Sequence, residues 1–135
     1  MQDNIFFFLK NKKQTKYLYD NLSFSEALTL MRTHGFTAIP VINLEGEYVG
    51  TVTEGDFLYY MMDHPSDSRE EIKNTDVSRI VRKNFMPPVP FNVPMSEVFQ
   101  QSLSQNFVPV VDDRNIFIGI VTRKAIISYL MHPEQ

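Results

Sequence analysis

Apolar residues along the chain switch between extended and helical spacing, and the switch occurs twice in the same order. Tyr17-Leu18-Tyr19 is a short aromatic extended run, after which Ala27, Leu28, Leu30 and Met31 recur at helical intervals. Ser23-Phe24-Ser25-Glu26 carries a capping-box signature that opens this helix. His34-Gly35 closes it, glycine being suited to the left-handed position after a helix. Ala38 to Ile42 and Tyr48 to Val52 are β-branched runs joined by Asn43-Leu44-Glu45-Gly46, a hairpin signal. A second helix spans about Glu54 to Asp63 and stops at His64-Pro65, since proline disfavours helical geometry in the residue before it.

The later half of the chain repeats this order. Ile39-Pro40-Val41-Ile42 matches Val108-Pro109-Val110-Val111, and Tyr48-Val49-Gly50-Thr51-Val52-Thr53 matches Phe117-Ile118-Gly119-Ile120-Val121-Thr122. Pro40 to Pro109, Gly50 to Gly119 and Thr53 to Thr122 are each separated by 69 positions (109−40, 119−50, 122−53), and the register holds through Tyr60 and Tyr129 and through Met62 and Met131. Upstream, Ser25-Glu26 matches Ser96-Glu97 at 71 (96−25), so the register slips by two, which places the length difference around Thr33 to Gly35. The second copy stops like the first, at His132-Pro133.

Segment chemistry divides the chain. Residues 1–14 form an N-terminal segment, 15–64 the first repeat, 65–74 a polar, charged linker with a frayed helix at Arg69 to Ile72, and 75–135 the second repeat with its leading helix. That leading helix is expected over Thr75 to Arg82, with Val77, Ile80 and Val81 as its buried face. Pro87-Pro88-Val89-Pro90 then forces an extended entry, and Pro94 suits a first helical turn. Neither copy has enough strands to hide both faces of its own sheet, so one shared core is expected.

Composition narrows the chemistry. A length of 135 residues with 43% hydrophobic content suits one compact unit. Thirteen basic against sixteen acidic side chains give a formal charge of −3, which lacks the electrostatic footprint of a nucleic-acid binder. The absence of Cys removes disulfides, thiolate nucleophiles and cysteine-based zinc sites, and fits a reducing, cytoplasmic setting. Ile5-Phe6-Phe7-Phe8-Leu9 is too short to span a bilayer and reads as a packed or docking segment, so no membrane partner is expected. His34, His64 and His132 sit near helix ends with no pair at ligand spacing, so no metal site is expected. No nucleophile elbow, P-loop or dinucleotide fingerprint can be assembled, so no catalysis is expected.

The element Gly50-Thr51-Val52-Thr53-Glu54-Gly55-Asp56, its incomplete partner Gly119-Ile120-Val121-Thr122-Arg123-Lys124-Ala125, and the hydrophobic-Pro-Val strand and hairpin before each resemble the CBS domain over almost the whole chain. The resemblance implies an α+β fold: tandem CBS repeats, each β-α-β-β-α, packed with pseudo-twofold symmetry into one module, with two clefts between the repeats. It also implies a homodimer, an adenine nucleotide as regulatory ligand with no required cofactor, and a protein effector that the residues do not identify.

Carried across by position, the resemblance puts Thr53 and Asp56 in one cleft with Val89, Pro90, Asn106, Phe107, Val108 and Pro109. It puts Thr122, Arg123 and Lys124 in the other with Thr15, Lys16, Tyr17, Phe36, Thr37, Ala38 and Pro40. A strand-to-helix junction offers free N–H groups and the positive end of the helix dipole to a phosphate, and the threonine adds a hydroxyl. A carboxylate one turn on, Asp56, can accept both hydroxyls of a ribose diol. Ala125 stands where the second copy would carry that carboxylate, beside the cations Arg123 and Lys124. This combination suits more phosphate charge or an esterified ribose, as in cyclic di-AMP, and the segment Gly35 to Pro40 with Thr122-Arg123-Lys124 is similar to small bacterial CBS proteins that bind that messenger. AMP, ADP and ATP remain alternatives for the Asp56 cleft. Phe6, Phe7, Phe8, Tyr59, Tyr60 and Tyr129 read as core or dimer contacts. The rival readings are a ligand-free dimerisation or docking module and, more weakly, RNA or single-stranded DNA binding through Lys10, Lys12, Lys13 and Lys16.

Overall fold

The computed structural model describes residues 4–132. In chain order the elements are α1 (Ile5–Phe8), β1 (Lys10–Asn11), β2 (Leu18–Tyr19), α2 (Phe24–His34), β3 (Ala38–Ile42), β4 (Tyr48–Thr53), α3 (Glu54–Asp63) and α4 (Arg69–Lys73). They continue with β5 (Val89–Pro90), α5 (Met95–Ser102), β6 (Phe107–Val111), β7 (Phe117–Thr122) and α6 (Arg123–Met131). Each copy therefore runs β-α-β-β-α, as its pattern predicts.

Local chemistry sets the ends of the elements. Ser23 Oγ accepts from Glu26 N–H and Glu26 Oε1 accepts from Ser23 N–H, each at 3.1 Å, which completes the expected capping box. Gly35 takes the left-handed conformation after α2, at φ 70°. The two-residue slip falls where it was expected: α5 has 8 residues against the 11 of α2, three fewer, and the connection to the next strand has four residues (103–106) against three (35–37), one more; α5 ends in Leu103 without a left-handed cap. Pro94 occupies the N-cap of α5, one place before the expected first turn. His132 caps α6, and Pro133, expected to stop it, lies outside the described residues together with the first residues of the N-terminal segment.

The chain divides into two compact units. One is continuous, Tyr17–Phe85; the other joins the residues up to Lys16 with those from Met86 onward. In the continuous unit the sheet order is β2-β3-β4, parallel then antiparallel, and Arg82 adds an antiparallel bridge to Thr51. In the discontinuous unit the order is β1-β7-β6-β5, with β5 parallel to β6 and β1 antiparallel to β7, where Lys10 faces Ile120. The duplication extends to irregularities. The β3–β4 ladder shifts register between Val41 and Ile42, and the β6–β7 ladder shifts between Val110 and Val111, at matching positions.

Each unit holds a cluster of buried apolar side chains. Each sheet also pairs with a segment outside its own sequence copy. One expectation changes. The segment expected to lead the second repeat as a helix over Thr75 to Arg82 holds a 3₁₀ turn at Val77–Arg79 and belongs to the continuous unit. Its apolar face is as expected, but Val77, Ile80 and Val81 are buried against Leu18, Phe24, Met31 and Phe57. In the discontinuous unit, Ile5 and Phe8 of α1 are buried with Val98, Val108, Val121 and Ile126, so the N-terminal aromatic segment packs where the second copy lies. Phe8 meets Phe99 and Tyr129 edge-on at 6.0 and 5.2 Å.

Candidate functional site

The strand-to-helix junctions after β4 and β7 are built alike and charged differently. In the discontinuous unit, Arg123 N–H donates to Asn106 O at 2.8 Å, which locks the start of α6 onto the start of β6. The counterpart bond in the continuous unit runs from Glu54 N–H to Thr37 O at 3.1 Å, at the same 69-residue offset (123−54, 106−37). Thr122 Oγ1 accepts from Ala125 N–H at 3.0 Å and so caps α6, which leaves its hydroxyl hydrogen available to an incoming oxygen. Arg123 Nε donates to Ser102 O at 2.8 Å, which fixes the guanidinium at the end of α5. Asn106, Thr122, Arg123, Lys124, Ile127 and Ser128 line an open cavity of about 400 Å³. This is a cationic hollow at a helix N-terminus, suited to a phosphate.

The first-copy junction has Glu54-Gly55 at the places of Arg123-Lys124, so it is acidic where the other is basic. Asp56 is buried, and both its oxygens are engaged. Oδ2 accepts from Thr53 N–H at 2.7 Å, and Oδ1 meets Arg82 Nε at 2.8 Å. The Arg82 guanidinium also lies over the Phe85 ring, 3.7 Å from its centre. Asp56, Tyr59, Tyr60, Asp63, His64, Arg79, Ile80 and Arg82 surround a hollow of about 420 Å³ along α3.

The expected site residues fall in both units. Thr53, Asp56, Tyr17, Phe36, Thr37, Ala38 and Pro40 belong to the continuous unit. Thr15, Lys16, Val89, Pro90, Asn106, Phe107, Val108, Pro109, Thr122, Arg123 and Lys124 belong to the discontinuous one. Inside the continuous unit, Ala38 pairs with Thr53 across β3–β4, and Phe36 with Arg32, Gly35 and Glu54 edges a hollow of about 440 Å³. Inside the discontinuous unit, Phe107 pairs with Thr122, and Val89 pairs with Val110. Val89, Phe107, Val108, Pro109 and Pro40 are buried, while Lys16, Phe36, Thr37, Pro90, Asn106 and Lys124 are exposed. The Thr15 hydroxyl is directed to the backbone carbonyls of Asn11 at 2.8 Å and Lys10 at 3.2 Å. Burial raises the Tyr17 phenol above its ordinary value, as does the neighbouring Tyr19.

Arg82, Phe85 and Glu54 are the residues that sequence reasoning missed. A signal was present for Glu54, which stands at the repeat position of Arg123 with the opposite charge. Among the described residues no group of His, Asp and Glu could hold a metal ion, and no helix is long and apolar enough to cross a membrane.

Two β-α-β-β-α copies, each with a threonine at the N-cap of its last helix, define a tandem module of a known repeat class. The CBS domain matches residues 11–63 and 74–132, and the chain belongs to that family. A crystal structure of CbpB in complex with c-di-AMP is 25% identical, with a TM-score of 0.89 over 95% of this chain and 84% of that one. A CBS domain protein from Streptococcus pneumoniae TIGR4 is 30% identical, with a TM-score of 0.84 over 95% of this chain and 88% of that one. The A-adding tRNA nucleotidyltransferase of Aquifex aeolicus is 30% identical over 82% of this chain, and the chain spans 12% of that enzyme's length.

Proposed function

We propose that this chain is a regulatory, non-catalytic module whose ligand is an adenine nucleotide, with cyclic di-AMP the best candidate. The observation that carries the reading is the cationic hollow of Asn106, Thr122, Arg123 and Lys124 at the start of α6. The helix dipole, the Thr122 hydroxyl, the Arg123 guanidinium and the Lys124 ammonium all favour phosphate there. The absence of a carboxylate at Ala125 removes the usual partner of a free ribose diol. The similarity to CbpB, which was crystallised with c-di-AMP, supports the same ligand class.

A second copy of the chain docks on the outward faces of α3 and α6. Leu58 and Ile127, Met61 and Leu130, and Met62 and Met131 are exposed apolar residues at matching repeat positions, so both copies offer the same surface. Ligand binding would act by favouring one arrangement of that assembly or of its effector surface.

Thermal melting with cyclic di-AMP, AMP, ADP, ATP and S-adenosylmethionine tests the reading. A ligand at 100 times its Kd adds about 2.7 kcal/mol to stability. The expected outcome is an upward shift with cyclic di-AMP; no shift with any of the five compounds would defeat the reading in favour of a ligand-free docking module.

A further inference from the structure

Of the two positions that the CBS resemblance assigns to a ribose diol, Asp56 and Ala125, only Asp56 carries a carboxylate, and it is not free. Its side chain is 7% exposed, with Thr53 N–H on one oxygen and Arg82 Nε on the other. Arg82 is held in place independently of Asp56. Its guanidinium stacks on Phe85, and its backbone bridges Thr51 in the neighbouring strand. We propose that Arg82 is a specificity-determining residue: by occupying Asp56 it makes the protein indifferent to a ribose diol, and so selects nucleotides in which a ribose 2′- or 3′-oxygen is already esterified. The proposal rests on the nucleotide reading above and names which nucleotides that reading admits.

The physical argument is a competition for one carboxylate. Both a ribose diol and Arg82 can donate hydrogen bonds to the ionised carboxylate, but only the guanidinium also brings a positive charge that compensates it. Because Asp56 is buried, removing its cation would leave an uncompensated charge out of water, which is the costly half of breaking any buried ion pair. The diol therefore gains little by displacing the guanidinium.

The second copy carries an independent sign of the same arrangement. Lys10 holds the backbone place of Arg82, facing Ile120 where Arg82 faces Thr51, and Thr51 and Ile120 are 69 positions apart (120−51). There the carboxylate position is Ala125. The copy with an aspartate carries the arginine, and the copy without one carries a lysine. Neither copy presents an uncommitted carboxylate to a diol. AMP, ADP and ATP thus lose the anchor that distinguishes a free ribose, whereas a nucleotide joined through its ribose oxygens loses nothing.

The test is calorimetric titration of the native chain, Arg82→Gln and Arg82→Gln with Asp56→Asn, each against AMP, 2′,3′-dideoxy-AMP and cyclic di-AMP. In the native chain AMP and its dideoxy analogue should bind about equally. In Arg82→Gln, AMP should gain at least about tenfold over the analogue, since a charged acceptor is freed for two hydroxyls, and adding Asp56→Asn should abolish that gain. Should Arg82→Gln fail to fold, Asp56→Asn in the native background decides: an unchanged ratio supports the proposal, and a drop overturns it. A strong preference for AMP over its dideoxy analogue in the native chain, or an unchanged ratio in Arg82→Gln, would overturn the proposal alone. Absence of binding by all three nucleotides, in the native chain and in Arg82→Gln alike, would defeat the nucleotide reading itself.

Discussion

The carbonyl oxygen of Lys10 occupies the space that a β-carbon on Gly119 would need. The same relationship holds in the first copy, where a β-carbon on Gly50 would lie 2.6 Å from the Arg82 carbonyl. Both glycines interrupt β-branched strands because another segment's backbone passes against them.

Gly119→Ala is therefore expected to cost at least about 2 kcal/mol, because backbone rather than a flexible side chain must give way. Gly35→Ala should cost less, about 1 kcal/mol, since its surroundings are open and only its φ of 70° resists a side chain. Chemical denaturation of the two variants, read as midpoint at constant slope, checks the order. Equal losses would mean that the Lys10 segment yields easily.

Tyr48 predicts an alkaline limit. Burial pushes its phenol up to about 12, and the hydrogen bond with Thr51 opposes this only partly. The folded value lies above the ordinary 10.0, so the stabilising contribution is complete below pH 10 and is lost as pH rises toward 12. The loss should be on the order of 2 kcal/mol. Tyr48→Phe should remove this step from a plot of stability against pH, and should cost about 1 kcal/mol at neutral pH because Thr51 Oγ1, 2.7 Å from the phenol, loses its partner.

The acid limit has the opposite sign. Hydrogen bonds from Ser23 hold Glu26 below its ordinary 4.5, and those from Ser68 do the same to Glu71. A depressed folded value contributes stability above pH 4.5 that disappears as pH falls below it. Glu26→Gln and Glu71→Gln should flatten the acid side of the melting curve. Ser23→Ala should cost about 1 kcal/mol at neutral pH through loss of the helix cap.

Lys124→Ala should weaken cyclic di-AMP binding several-fold at low salt, less at high salt, and leave the melting temperature of the free protein unchanged, because Lys124 is exposed. Arg123→Ala should weaken binding and also cost about 1 kcal/mol of stability, since its bond to Ser102 O at 2.8 Å is lost. Calorimetry at two salt concentrations, with melting of the free variants, separates the two roles.

Leu58→Glu and Ile127→Glu place a charge on the exposed faces of α3 and α6. Each should shift the chain toward a slower-sedimenting species without unfolding it. Unchanged sedimentation in both variants would place self-association elsewhere.

Most of the repeat was legible in the chain because its signals are local. The Ser23–Glu26 cap, the Gly35 stop and the paired hydrophobic-Pro-Val strands each depend on a few neighbouring residues, and the strands recur at one offset. What could not be read was which segment covers which sheet. Lys10–Asn11 is too short to show a strand period, and Arg82 bridges Thr51 as a single residue. Gly50 and Gly119 were the indirect signal, since a glycine inside a β-branched run marks close backbone approach. The Asp56–Arg82 pair was hidden for the same reason: no sequence spacing specifies a contact that the return of the Val77–Arg82 segment creates.

The nesting of one unit inside the other also orders events during synthesis. Every residue of the Tyr17–Phe85 unit is available once Phe85 has left the ribosome, whereas Ile5 and Phe8 must wait for Val108, Val121 and Ile126. The usual vectorial rule has the segment made first fold first. Here Ile5 and Phe8 emerge before the Tyr17–Phe85 unit yet find their partners after it, and their apolar side chains stay uncovered while that unit is completed.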